Sequence, residues 1–264
     1  MTTPVAITTQ GSEARLLQEG INAIATIEYQ DYPMEKDKIF TMEMSEKAYE
    51  LDVSLSGTGF AAEKPEGTSI QYDSEKQDFA TTYTHIVYAL GTIITMEAQM
   101  NNLYRDLIYK AGKMLKRSLV HTDEQVAADI INNGYTTTLL GDNQPLFSTA
   151  HLLGKGGTFS NRFAVPTALS QAAVEDALIA IEDYRDGAGL LIDAKGVSLH
   201  IPRQLRFVAD RILASRFEPG TANNAINPVA QIFPEGYHVN HRFTSATAWF
   251  IKTDVDDGFK EFER

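Results

Sequence analysis

PLFSTAHLLGKGGTFSN, residues 145–161, is the stretch that decides how this chain is interpreted. It combines an apolar pair, a Ser-Thr step, a histidine and a run of glycines. Ser148 and His151 have the chemistry of a nucleophile and its base, but no G-x-S-x-G elbow surrounds the serine. The glycines around Lys155 also lack the G-x-x-x-x-G-K-[ST] pattern of a phosphate-binding loop. We therefore predict a structural loop in which His151 hydrogen-bonds to the backbone.

Two later stretches accompany this loop, PGTANNAIN at residues 219–227 and AWFIKTD at residues 248–254. In this order and at these separations, the three stretches resemble the major head subunit of Mu-like tailed phages. That family adopts the Hong Kong 97-type capsid fold, so the resemblance implies an α+β, shell-building protein. The positions that match the family's motifs are Phe147, His151, Asn161, the pair Asn223 and Asn224, and Trp249.

The resemblance covers residues 36–263 and implies a fixed order of parts. Family members usually continue past the late strand with one more core strand, whereas this sequence ends at Glu261–Arg264. We therefore expect either a short member or an incomplete sequence. The expected parts are an N-terminal arm (1–35), an extended E-loop (36–80), a peripheral domain with a spine helix (81–133), an α+β apical domain (134–236) and strands that return to the core (237–264).

Residues 36–80 are densely charged and contain two turn-forming clusters, Ser56–Gly59 and Pro65–Gly67. Strand-like polar runs at Tyr49–Leu55 and Thr68–Tyr72 flank these clusters. A segment of this length is either functional or disordered, and the residues alone leave a flexible insertion and an extended β-hairpin equally open. The resemblance favours a hairpin that lies across a neighbouring subunit. The residues then expected at intersubunit contacts are Gly57, Gly59, Lys64 and Glu66, with Asn223 and Asn224 of the later loop.

The sequence TTYTHIVYALGTIIT, residues 81–95, is rich in β-branched and aromatic residues and predicts a long strand. A helix is predicted over residues 98–132, about 50 Å long at 1.5 Å per residue. Thr122 and Gln125 form a capping-box pattern that predicts a break, and Gly134 is expected to end the helix. The predicted apolar stripe comprises Met100, Leu103, Leu107, Ala111, Met114 and Leu115, prolonged by Leu119, Val126 and Ile130.

From residue 135 the pattern is α+β. One helix is predicted after an N-cap at Ser170, with Val174, Leu178 and Ile181 facing inward, and a second helix is predicted with Pro202 at its first position. The strands predicted in this part of the chain are Leu190–Ile192, Val197–Ile201, Gly236–Phe243 and Ala248–Thr253.

The charge balance limits the possible partners. The chain has 35 acidic residues against 23 lysines and arginines, a formal net charge of −12. Its densest basic stretch, Lys110–Arg117, is spread around the predicted helix, so the sequence does not predict a nucleic-acid-binding patch. A shell that a motor fills with DNA does not need one. The absence of cysteine excludes disulfides and thiolate metal sites and fits a protein made in a reducing cytoplasm.

Two other functions remain open at this stage. A bacterial protein compartment of the same fold would have the same architecture and differ only in what it encloses. A metal hydrolase would use His238 and His241 with Asp254, Asp256 or Asp257, but YHVNHRF is strand-like, and residues three apart on a strand point to opposite faces. We expect no catalytic, cofactor-binding or metal-binding residue.

The resemblance also implies partners and location. The chain is expected to assemble with itself, as hexamers and pentamers of a shell. That shell is expected to form in the bacterial host cytoplasm and to become the virion head, which encloses double-stranded DNA without sequence-specific binding. Further expected partners are a portal, a scaffold or maturation protease, and decoration proteins, with no membrane.

Overall fold

The structure, a computed structural model, describes residues 34–74, 76–93, 104–217, 225–255 and 258–264. The expected arm at residues 1–35 lies almost entirely outside the described residues, as do Asn223 and Asn224. The described chain falls into two compact units. One contains Ile86–Gln125, and the other contains Glu35–His85 with Val126–Arg264.

A two-stranded hairpin is the first large feature of the second unit. Strand β2 (Tyr49–Ser56) pairs antiparallel with β3 (Lys76–Thr84), with a bulge opposite Ser54. The predicted first strand is confirmed, but the predicted second strand at Thr68–Tyr72 is wrong, because pairing resumes only at Lys76. Within the described residues, the strand predicted over residues 81–95 is wrong beyond Thr84, because no strand pairs with residues 85–93; residues 94 and 95 lie outside the described residues.

The segment before the hairpin is not part of it. A 3-10 turn at Lys36–Lys38 leads into β1 (Thr41–Met44), which pairs parallel with β9 (Lys260–Glu263). The buried Lys36 ammonium binds Glu261 at 2.6 Å beside this pair. A strand therefore does follow the late strand, contrary to the expectation, and residues 36–48 are tied to the end of the chain rather than to the loop.

Helix α1 runs from Tyr104 to Asn132 without a break. The capping-box interpretation of Thr122 is wrong, because the Thr122 hydroxyl donates to the Ser118 carbonyl at 2.9 Å, as a threonine inside a helix does. Among the described side chains of the helix, the predicted apolar stripe is wrong at Met114, which is 73% exposed, whereas Val120, Ala127, Ala128 and Ile131 are buried. Met100, Leu103 and Leu107 of the predicted stripe lie outside the described side chains.

The main hydrophobic core lies between a three-stranded sheet and two helices. The sheet order is β7 (Tyr237–Asn240), β6 (Gly196–Pro202) and β8 (Phe250–Thr253), with β6 parallel to β7 and antiparallel to β8. The two helices are α2 (Gln171–Glu182) and α3 (Arg206–Leu213). The core residues are Leu169, Val174, Leu199, Ile201, Ala209, Ile212, Leu213, Val229 and Phe233.

In this region, the predicted N-cap and inward residues of α2 are confirmed, whereas the ends of other elements differ from the prediction. Ser170 caps α2 by accepting a hydrogen bond from the Ala173 amide at 3.2 Å, as predicted. Pro202 instead ends β6, because a 3-10 turn at Arg203–Leu205 separates it from α3. The strand predicted at Leu190–Ile192 is reduced to one isolated bridge between Arg185 and Leu191.

A second, smaller core brings distant parts of the chain together. Its buried members are Ile39, Phe40, Ala127, Ile131 and Phe243, with Phe147, Phe250 and Phe259 packed against them. In this cluster, residues at the end of α1 pack against a residue of β8 and against residues next to β1 and β9. It also fixes the start of the loop that the sequence analysis singled out.

Candidate subunit-contact site

The loop from Asp142 to Asn161, called the 142–161 loop below, is organised by a buried hydrogen bond between the side chains of Asp142 and His151. Nδ1 of His151 donates to Oδ2 of Asp142 at 2.9 Å, and both side chains are 6% exposed. The same carboxylate accepts from the amides of Gln144 at 3.0 Å and Leu152 at 3.2 Å. Burial raises the pKa of Asp142, but these three donors outweigh it and hold the pKa below its ordinary value.

Asn161 closes the loop. Its side-chain amide donates to the Leu146 carbonyl at 2.6 Å, and its Oδ1 accepts from the Ser148 amide at 2.9 Å. Nε2 of His151 faces the same Leu146 carbonyl at 3.3 Å. The prediction that His151 hydrogen-bonds to the backbone is therefore confirmed. Its closer partner, Asp142, was not predicted.

Phe147 anchors the loop to the smaller core. Its ring stacks on Phe250 with centroids 4.9 Å apart and lies 5.0 Å from Tyr135. A Cβ at Gly134, two residues after the end of α1, would come within 2.7 Å of this ring, so any larger residue there would displace Phe147. The motif residues Phe147, His151 and Asn161 thus act as a single structural unit.

The hairpin packs beside this loop. A shallow cavity of about 360 Å³ separates them, lined on the hairpin side by Asp52, Ser54, Phe79 and Thr81 and on the loop side by Asp142 and His151. Below the cavity the contact is close, because a Cβ at Gly154 would lie 1.7 Å from the Asp78 carboxylate. The glycines of the loop allow this approach.

The tip of the hairpin is held by one carboxylate. Asp73 accepts from the Gly59 amide at 2.8 Å and from Lys155 of the 142–161 loop at 3.1 Å. The Gly59 amide, Lys155 and the Ser74 amide together lower the pKa of Asp73 to about 2. Gly57 lies against the Asp186 carboxylate. The other two expected contact residues of this loop, Lys64 and Glu66, are exposed.

Trp249 lies apart from the 142–161 loop. It is half-buried against the main core, and its indole N–H donates to the Thr167 carbonyl at 3.0 Å.

The two histidines of the metal hypothesis are not brought together as a site. His238 lies on β7 opposite His200, with ring centroids 5.3 Å apart, while Nδ1 of His241 binds Glu35 at 2.5 Å. Asp254 accepts from the Lys195 amide at 2.6 Å, and Asp256 and Asp257 lie outside the described residues. In the part of the chain that the structure describes, no three His, Asp or Glu side chains form a group able to hold a metal ion.

Sequence reasoning missed Asp142, the residue on which the loop depends. The available signal was indirect: a histidine predicted inside a structural loop needs acceptors, and Gly141–Asn143 is a turn-forming sequence that ends near it.

None of the helices within the described ranges is long and apolar enough to cross a lipid bilayer.

Comparison with known proteins identifies the family of the chain. A family model described as "Phage capsid protein" matches residues 78–264, which is more than half of the chain. The chain belongs to this family. It is a major capsid protein that forms the head of a tailed phage, and its place is the virion. No curated protein matches the chain.

Solved structures of low sequence identity show the same fold. The procapsid of bacteriophage JBD30 is 15% identical, covers 89% of this chain and 100% of its own, and gives a TM-score of 0.62. The JBD30 capsid decorated with minor capsid protein trimers is 14% identical, with coverage of 82% and 94% and a TM-score of 0.60. A further structure, the bacteriophage JBD30 capsid, is 16% identical, with the same coverage and TM-score. The capsid protein therefore has a phage capsid fold of mixed helices and sheets.

Proposed function

We propose that this capsid protein is the major head subunit of a Mu-like phage and has the Hong Kong 97-type fold. The observation that carries the proposal is the family match over residues 78–264, together with a long hairpin, a 29-residue helix and an α+β core in that order along the chain. On this assignment, residues 1–35 are the arm, 36–80 the segment that carries the E-loop after strand β1, 81–133 the peripheral domain, 134–236 the apical domain and 237–264 the returning strands.

Many copies then close an icosahedral shell of hexamers and pentamers around double-stranded DNA. The hairpin lies over a neighbouring subunit and contacts it through Gly57, Gly59, Lys64 and Glu66. A second intersubunit contact involves Asn223 and Asn224. A portal opens the shell, and a scaffold or maturation protease and decoration proteins act on it. The protein has a structural role without catalytic, cofactor-binding or metal-binding residues, and assembly takes place in the host cytoplasm.

Electron microscopy of the purified chain tests this proposal. We expect closed shells or capsomers, whereas a discrete monomer at all concentrations would contradict it. Deletion of Gly57–Gly67, which removes most of the hairpin tip, should leave the subunit folded by circular dichroism and prevent shell closure. Normal assembly of the deletion variant would remove the hairpin from the contact.

The contents of particles isolated from infected cells distinguish a phage head from a protein compartment of the same fold. Nuclease-protected DNA supports the phage head, and a packaged enzyme supports the compartment. The family match favours the phage head. Hydrolase activity that needs zinc and disappears in His238→Ala, with particle yield unchanged, would contradict the structural role.

A further inference from the structure

The glycine-rich stretch of the 142–161 loop forms a tight turn beside the hairpin. The Leu153 amide donates to the Gly157 carbonyl at 3.2 Å, and the Gly156 amide donates to the Leu153 carbonyl at 2.9 Å. Gly156 and Gly157 have φ angles of +100° and +99°, which residues with a Cβ rarely adopt. The glycine turn, residues 153–157, therefore depends on its glycines, and it presents Gly154 and Lys155 to the hairpin.

The glycine turn receives two carboxylates of the hairpin. The Asp78 carboxylate occupies the space that a Cβ at Gly154 would fill, 1.7 Å from that position. Asp73 accepts from the Lys155 ammonium at 3.1 Å. A side chain at position 154 would therefore push Asp78 away, and loss of the Lys155 ammonium would release Asp73.

A second turn of the same subunit holds the start of the hairpin tip, which comprises residues 57–74. Oδ1 of Asp186 accepts hydrogen bonds from two amides of its own turn, which fix the carboxylate. Gly57 lies against the other oxygen, since a Cβ at Gly57 would lie 3.0 Å from Oδ2. Ser56 is 1% exposed, and a Cβ at Gly187 would lie 3.5 Å from it. The tip is therefore docked on its own subunit at both of its ends.

This docked position competes with the contact proposed for the tip. Gly57 is expected to contact a neighbouring subunit, but the side of Gly57 that faces Asp186 is already covered. Asp73 accepts from the Gly59 amide at 2.8 Å while it binds Lys155, so Gly59 is tied to the glycine turn as well. The tip can therefore lie over a neighbour only after it leaves its own subunit.

We infer that the docked tip is an autoinhibitory contact, which keeps the free subunit from assembling until the glycine turn and Asp186 release the hairpin. This inference rests on the proposed function, in which the tip lies over a neighbour. If only released subunits join a shell, the apparent affinity between subunits is reduced by the released fraction. The contact is suited to release, because the Lys155 and Asp73 side chains are 29% and 49% exposed and ion pairs in water are weak.

A disulfide that locks the docked tip tests the inference directly. The chain has no cysteine, so Gly57→Cys with Asp186→Cys introduces a single pair. A Cβ at Gly57 would lie 3.0 Å from Oδ2 and 3.8 Å from Cγ of Asp186, which is within reach of a disulfide. We expect oxidised subunits to stay unassembled and to form closed particles after reduction, as counted by electron microscopy. Locked subunits that close particles in the same yield as reduced ones would overturn the inference.

A charge-matched pair of variants measures release without a new bond. Lys155→Met removes the ammonium that binds Asp73, whereas the control, Lys195→Met, removes a lysine that is 67% exposed and 4.0 Å from Asp193. Both variants change the net charge equally. Lys155→Met should lower the protein concentration at which shells first form by roughly two- to fivefold relative to Lys195→Met, as expected from the loss of an exposed ion pair. An equal or higher threshold for Lys155→Met would contradict the inference.

The behaviour of the wild type separates this inference from the proposed function. If wild type forms shells and neither the lock nor Lys155→Met changes assembly, the autoinhibitory contact fails and the proposed function stands. If wild type forms no shells, both fail. Where the reduced cysteine pair does not itself assemble, the two lysine variants decide.

Discussion

At the scale of single residues, the Asp142–His151 pair links the motif to stability. Replacing His151 with alanine leaves the buried Asp142 carboxylate without its side-chain donor. We expect a loss of about 1–3 kcal/mol in the free energy of unfolding, the range for a buried polar group that loses a hydrogen-bond partner, while the amides of Gln144 and Leu152 still bind Asp142. Urea unfolding of the free subunit measures this loss.

Two variants serve as controls for that experiment. His241→Ala removes a histidine that is 64% exposed and paired with Glu35, and it should cost at most about 1 kcal/mol. Adding Asp142→Asn to His151→Ala removes the unpaired charge and should recover part of the loss. Equal stability of the two single histidine variants would show that the buried pair is not what holds the loop.

A second prediction at this scale concerns acid. Burial, with His238 and Lys252, lowers the pKa of His200 to about 3. Burial and Lys38 also lower the pKa of His238, against the opposing effect of Glu235. An unfolded histidine binds a proton below about pH 6.5, while the folded protein keeps His200 neutral. The unfolded state therefore binds more protons, and the free energy of unfolding should fall as the pH decreases from about 6.5.

The loss approaches about 1.4 kcal/mol per pH unit for each such histidine. Unfolding curves between about pH 7.5 and 4.5 isolate the histidine contribution, because carboxylates with lowered pKa values take up protons only at lower pH. His200→Gln should flatten the dependence, whereas His121→Gln, at an exposed helix position, should not. Parallel curves for wild type and His200→Gln would contradict the assignment.

At the scale of elements, the sign of the stability change in Thr122→Ala tests whether Thr122 lies inside the helix or caps it. Inside a helix, Thr122→Ala should leave stability unchanged or raise it by up to about 0.7 kcal/mol, because alanine has the higher helix propensity. An N-cap would instead lose about 0.5–2 kcal/mol on the same change. The unfolding free energy of Thr122→Ala, with Thr167→Ala in a connecting loop as control, decides between them.

Sequence patterns predicted the elements whose signals are local. The Ser170 cap, the inward residues of α2 and α3 and the first hairpin strand follow from side chains within a few positions of one another. The misplaced features depend on partners distant in sequence. Strand β9 exists because β1 lies beside it, the strand expected beyond Thr84 lacks a ladder partner, and Asp142 matters only because His151 folds onto it. Helical periodicity placed Met114 on the apolar stripe of α1, but whether a position on a helix is buried depends on distant packing partners, and Met114 is 73% exposed.

At the scale of the whole molecule, the net charge of −12 governs contacts with DNA. Binding to duplex DNA releases counterions only where lysines and arginines cluster, so the free subunit should show no useful affinity at physiological salt. A gel-shift titration against a duplex of random sequence measures this. A sub-micromolar shift that weakens with salt would contradict the expectation.

The same charge should make assembly depend on salt in the direction opposite to that expected for ion-pair contacts. Copies that each carry −12 repel one another, and the screening length shrinks from about 10 Å at 0.1 M salt to about 3 Å at 1 M. If apolar side chains make the main contact between copies, added salt weakens the repulsion and leaves the attraction intact. The protein concentration at which shells first form should therefore fall as sodium chloride rises from about 0.05 to 0.5 M. Light scattering measures that threshold, and the many weak contacts of a closed shell should then make its disassembly on dilution much slower than its formation. A threshold that rises with salt would mean that exposed ion pairs, such as those available to Lys64 and Glu66, hold the subunits together.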